Sequence, residues 1–199
     1  MADLTKDIHP DSRCRLPLVE RSALDADAQR IYDKLQDPNG GSHVGLRGPG
    51  GIRLWSPGIA KHTQAINAYY REGGCALSLH VREVTTLITA REFDSQFEWA
   101  AHERVARKAG VSEETIAAIK QRKPTAGLPE EDGAIIELGR ETFGRHKVSA
   151  ETYARAEKLF GRHGLCDIVC LMGQYAATAA LLCAFGMQLP EGQEPLLPA

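Results

Sequence analysis

The chain contains no Cys-x-x-Cys pair, no alternating strand pattern, no basic run interleaved with aromatics and almost no net charge. Each absence excludes something. Its five cysteines, Cys14, Cys75, Cys166, Cys170 and Cys183, are odd in number and irregularly spaced. With no apolar leader in "MADLTKDIHPDSRC", a reducing cytoplasm is expected rather than a disulfide framework. Cys166 and Cys170 are one helical turn apart and read as two buried small side chains. A net charge of -2, with 6% aromatics and scattered Lys and Arg, argues against nucleic-acid binding.

What is present is a soluble-type composition over 199 residues, 43% apolar and 25% charged, enough to bury one sizeable core. Ile168 to Met187 carries no charge over a length that could cross a bilayer. It is rich in Ala, Gly, Thr and Gln and lacks basic flanks. The expectation is therefore a helix buried on nearly all sides, with Gly173, Ala176, Ala177 and Ala180 permitting close approach, and no membrane partner.

Punctuation reads as helix after helix. Ser56-Pro57 opens one and Gly73-Gly74 stops it; Ser78, Ser112 and Ser149 are predicted N-caps, and Gly164 a stop. Val81, Val84, Leu87 and Ile88 mark an apolar stripe of helical period. The predicted fold is all-α, about eight helices with short connections. The glycine-rich stretch from Asp37 to Leu54 reads as an irregular loop, with Arg47, Arg53 and Trp55 suited to binding. It lacks the Gly-Lys-Ser/Thr ending of a phosphate loop.

In "EFDSQFEWAAHERVARKAG", Ser95, Glu98 and His102 share one helix face. A carboxylate beside an imidazole fixes its tautomer and stabilises its protonated form, which suits proton transfer. Glu83, on the preceding helix, reaches the same cleft if the two helices are antiparallel. Ser-x-x-Glu is equally a capping box, which accounts for Ser95 and Glu98 without any site. No metal is expected: Glu98 with His102, or His80 with Glu83, gives two ligands where three or four are needed. No nucleophile elbow surrounds Ser95.

The segment "LHVREVTTLITAREFDSQFEWAAHERVARKAGVSEETIAAI" resembles the carboxymuconolactone decarboxylase / alkylhydroperoxidase D-like family. The resemblance rests on Arg82-Glu83, Phe97-Glu98-Trp99, His102, Ala106 and Gly110, with Ser112 opening the next helix. It extends from Leu46 to Leu189. It implies a helical domain over 46–189, an N-terminal extension over 1–45 with one helix, and a tail over 190–199. The peroxidase branch carries Cys-x-x-Cys-x-x-x-His, whose cysteines fall here on Ser95 and Glu98. Thiol peroxidase chemistry is thereby excluded. The resemblance then implies a cofactor-independent decarboxylase-like enzyme acting on a small carboxylated lactone. His102, Glu98 and Glu83 would be catalytic, with Arg47, Arg53, Ser95 and Trp99 on the substrate side. It also implies a homotrimer or homohexamer. The alternatives are a catalytically silent ligand-binding oligomer and a metal-dependent hydrolase or isomerase.

Overall fold

Serine caps and left-handed stops set where this chain turns. The computed structural model describes residues 5–39 and 44–198; His43 and its preceding glycines lie outside the described residues. Among the described residues there are eight α-helices and no strand, only an isolated bridge between His9 and Cys14. The helices are α1 (Ala26–Gln36), α2 (Pro49–Arg53), α3 (Pro57–Arg71), α4 (Leu79–Glu92), α5 (Gln96–Lys108), α6 (Glu113–Lys120), α7 (Glu130–Gly139) and α8 (Ala150–Ala184). The chain divides into two compact units, Met1–Cys75 with Ala180–Glu194, and Ala76–Ala179 with Pro195–Ala199.

In the first unit, Leu24, Ala28, Leu35, Leu54 and Ala60 form a small core under α1 and α3. The glycine-rich stretch is not wholly irregular, because α2 forms inside it. Pro49 supplies the first helical φ, and Ile52 and Leu54 are buried beneath it. Burial of two large side chains contributes about 3–6 kcal/mol, which offsets the glycines' backbone entropy. The 180–194 segment is tied to the N-terminal strand-like stretch by Arg15 N–H to the Phe185 carbonyl and Gln188 N–H to the Arg13 carbonyl.

In the second unit, α4 is the central element. The sequence showed one apolar stripe, but Val81 and every residue from Glu83 to Arg91 are buried. The threonines are accommodated within the helix: Thr85, Thr86 and Thr89 hydroxyls donate to the carbonyls of Val81, Arg82 and Thr85, four residues back. Trp99, Leu87, Ile88, Ile116, Ile119, Ile135, Ile136, Ile168 and Met172 complete the core around it. The backbones of α4 and α7 approach so closely that a Cβ on Gly139 would sit 2.7 Å from Ile88 Cγ1.

Three consecutive helices end the same way. At Asp94, Gly110 and Arg122 the backbone is left-handed. The next N–H then reaches back six residues inclusive: Ser95 to Ala90, Val111 to Ala106 and Lys123 to Ala118. These are Schellman stops, which allow each helix to be followed by another after three to nine residues. Ser78, Ser112 and Ser149 cap as expected, their hydroxyls accepting from the N–H of Val81, Thr115 and Thr152. Ser56 sits at the N-cap position of α3 without a side-chain cap bond.

Helix α8 departs from expectation in two ways. It breaks at Gly161, whose φ of 64° only glycine adopts cheaply, rather than ending at Gly164. Its apolar half is not buried on all sides either. Leu165, Ile168, Leu171 and Met172 face the core, while Cys166, Val169, Cys170, Gly173 and Ala177 are exposed. Cys166 and Cys170 are therefore surface thiols, not the buried pair expected, since the core-facing positions are taken by Leu165, Ile168, Leu171 and Met172. By length and composition α8 could cross a membrane, but Leu165, Ile168 and Met172 belong to the core of the second unit.

Candidate functional site

The site is built where α4, α5 and α8 meet in the second unit. Asp94, in its left-handed turn, reverses the chain between α4 and α5 within three residues, so the helices run back along each other. That reversal brings Glu83 of α4 against His102 of α5. Glu83 Oε2 lies 2.9 Å from His102 Nδ1, with both side chains more than nine-tenths buried. On the opposite side of the ring, Tyr175 of α8 places its hydroxyl 3.2 Å from His102 Nε2. The two rings meet edge to face, centroids 5.1 Å apart.

The chemistry of this arrangement follows from donors and acceptors. An ionised carboxylate can only accept, so His102 carries its hydrogen on Nδ1 and donates it to Glu83. Nε2 is then the basic nitrogen, and it accepts the Tyr175 O–H. When the ring takes a second proton at Nε2, the positive charge appears next to the Glu83 carboxylate, which offsets its desolvation. Glu83, His102 and Tyr175 thus form a line along which one proton can move between a buried carboxylate–imidazole pair and a half-buried phenol.

Glu98 lies one turn before His102 and is buried at 3% exposure. It shares the α5 face with His102, as its spacing requires. The capping box does not form: Ser95 is the N-cap of α5 but its side chain makes no cap bond. Its backbone N–H is already committed to closing the Schellman stop of α4 on the Ala90 carbonyl. Ser95 serves through its backbone, as the last residue of one helix stop and the first of the next helix.

Trp99 is corrected from the substrate side to the core. It is fully enclosed at 0% exposure, with the Lys120 ammonium 5.9 Å above its ring. Its indole N–H meets no acceptor among the described residues. Arg47 and Arg53 belong to the first unit. Arg47 is exposed and its Nε–H donates to the Asp11 carbonyl; Arg53 closes α2.

Two residues went unnoticed in the sequence. Tyr175 is one; its signal was a lone phenol inside a charge-free run, where a buried hydroxyl needs a partner. Asp132 is the other. It is fully buried, with Oδ1 2.7 Å from His80 Nε2 and Oδ2 accepting the Thr115 hydroxyl at 2.7 Å. His80 is thus spoken for by α7 and does not join Glu83 as a ligand pair. No group of three His, Cys, Asp or Glu side chains able to hold a metal occurs among the described residues.

The only cysteines one turn apart lie on the outer face of α8. Partial desolvation, then the neighbouring Cys166 thiol, push the Cys170 thiol above its ordinary value. That suppresses the thiolate a peroxide would need.

Residues 57–138, from the start of α3 to the penultimate residue of α7, match the model of the carboxymuconolactone decarboxylase family. No curated protein matches the chain by sequence. Among solved structures, the chain is similar to the alkylhydroperoxidase AhpD core of an uncharacterized peroxidase-related protein from Ralstonia eutropha JMP134. The two are 17% identical with a TM-score of 0.72, over 92% of this chain and 94% of that one. At that identity the likeness speaks for the helical fold.

Proposed function

We propose, from the match of residues 57–138 to the carboxymuconolactone decarboxylase family model, that the chain is an acid–base enzyme of that family acting on a small carboxylated lactone or a close relative of one. The observation that carries this reading is His102 held between Glu83 and Tyr175, with Ser95 and Glu98 where a redox pair would stand. In a decarboxylation, the bond to the leaving carboxylate breaks and its electron pair passes into the substrate's conjugated carbonyl. Carbon dioxide departs, and the resulting enolate is protonated at carbon. His102 supplies that proton from Nε2, directly or through the Tyr175 hydroxyl, while Glu83 holds Nδ1–H and balances the charge. Glu98 is a second buried carboxylate, one turn before His102 on α5, and we assign it to proton exchange with His102.

Arg47 and Arg53 are retained as candidates for the substrate carboxylate, since guanidinium binds carboxylate in bidentate fashion. If so, Arg53→Gln raises KM and leaves kcat in place. We further read the chain as a cytoplasmic homotrimer or homohexamer. Five free cysteines and the uncharged outer face of α8, Cys166, Val169, Cys170, Gly173 and Ala177, support that reading. Light scattering on the eluting protein tests it; a monomer at micromolar concentration sinks it.

The test of the chemistry is turnover of carboxymuconolactone, or analogues varied around its carboxylate, in heavy water. The reading requires carbon dioxide release with one deuteron at carbon, and its loss in His102→Ala. A ligand that binds and returns unchanged and unlabelled would favour a silent binding protein instead.

A further inference from the structure

Three helix starts converge on one carboxylate. Asp132 lies in the first turn of α7, Thr115 in the first turn of α6 and His80 in the first turn of α4. Asp132 takes a hydrogen bond on each oxygen, from His80 Nε2 at 2.7 Å and from the Thr115 hydroxyl at 2.7 Å. The Ser112 hydroxyl, capping α6, extends the chain by donating to Thr115 Oγ1 at 3.2 Å. An anion suits this place, because the N-terminal ends of helices present partial positive charge.

The network bears on the site because His80 and Glu83 are three residues apart on α4. In the first turn of α4, Leu79 is 45% exposed and Val81 is buried. The His80 ring joins this turn to α7 through Asp132, whose other oxygen is held by Thr115 of α6. Helix α4 is therefore pinned by two imidazole–carboxylate contacts of opposite sense. At residue 80 it offers the imidazole to a carboxylate of α7, and at residue 83 it offers the carboxylate to an imidazole of α5.

We infer that Asp132, acting through His80, is a positioning residue: it fixes the first turn of α4 so that the Glu83 carboxylate stays on His102 Nδ1. The inference deepens the acid–base reading and rests on it for its catalytic meaning, but its test needs no substrate. The nitrogen-15 shifts of the His102 ring report which nitrogen carries the hydrogen. Wild-type protein, with Glu83 in place, shows the Nδ1–H form.

His80→Ala and Asp132→Asn move His102 toward the Nε2–H form or a mixture of the two. His80→Gln, whose amide N–H can still reach Asp132, restores the wild-type signature. A folded His80→Ala protein with an unchanged His102 tautomer overturns the inference. So does a shift that His80→Gln fails to reverse, since that would be general loosening of the fold. Should Asp132→Asn not fold, the two His80 variants decide the matter alone. Failure of every lactone to turn over, with the tautomer shift intact, would sink the decarboxylase reading and leave the positioning role standing.

Discussion

Helix α4 carries two imidazole–carboxylate pairs one turn apart, and they are finished differently. At Asp132–His80 the spare valence belongs to the carboxylate, and a threonine hydroxyl takes it. The histidine there is 29% exposed at its side chain. At Glu83–His102 both partners are buried and the ring's second nitrogen meets a phenol from a third helix. The first pair ends in a saturated carboxylate and can only hold. The second ends in a nitrogen facing an exchangeable hydroxyl and can pass a proton on. Similar distances thus serve unequal purposes, and what decides is the partner on the far side.

The sharpest way to break the contrast is to dismantle the Glu83–His102–Tyr175 line member by member. His102→Ala is expected to cut turnover by about 10²–10⁴-fold, the range of a lost general acid–base group. Glu83→Gln should lose nearly as much, because an amide can donate as well as accept and no longer fixes the tautomer. Tyr175→Phe, which leaves the ring packing and removes one hydrogen bond, should cost about tenfold in kcat. Steady-state kinetics on the three variants, alongside urea midpoints, separates lost chemistry from lost structure.

The holding pair should show the opposite balance. Asp132→Asn removes a fully buried charge from two donors and is expected to cost about 2 kcal/mol of stability. Thr115→Val, which leaves one carboxylate oxygen without its hydroxyl, should cost about 1 kcal/mol, and Thr115→Ser much less. Denaturation midpoints measure all three; if Asp132→Asn were as stable as wild type, the network would not be holding these helix starts.

Glu141 gives a small effect and a signed pH dependence. The Ser149 N–H, 2.6 Å away, holds its carboxyl below the ordinary 4.5. A depressed folded value stabilises the protein above the unfolded value and is lost as pH falls through the folded one. Glu141→Gln should therefore be less stable than wild type by about 1 kcal/mol near neutrality. The gap should close as the solution is taken below pH 4.5. A gap that stayed constant with pH would mean the charge contributes nothing.

Much of the fold could be read in the sequence because helix starts and stops are local. Ser78, Ser112 and Ser149 needed only their own first turns to act as caps. The meeting of Glu83 with His102 was also within reach, since a short connection between two helices leaves few alternatives. What escaped were features decided by other parts of the chain. Cys166 and Cys170 looked like core residues until larger neighbours on α8 took the inward positions. Ser95 fitted a capping box, but the turn at Asp94 had already claimed its N–H. Asp132 and Tyr175 contact their histidines across 52 and 73 residues, distances over which spacing carries no information.

The central claim is that His102 delivers a proton to carbon. Its most direct test is carboxymuconolactone turnover in heavy water, with the product read by mass and the site of label by NMR. One deuteron per product from wild-type protein, and none above background from His102→Ala, is the expected result. Labelled product formed at the wild-type rate by His102→Ala would contradict it.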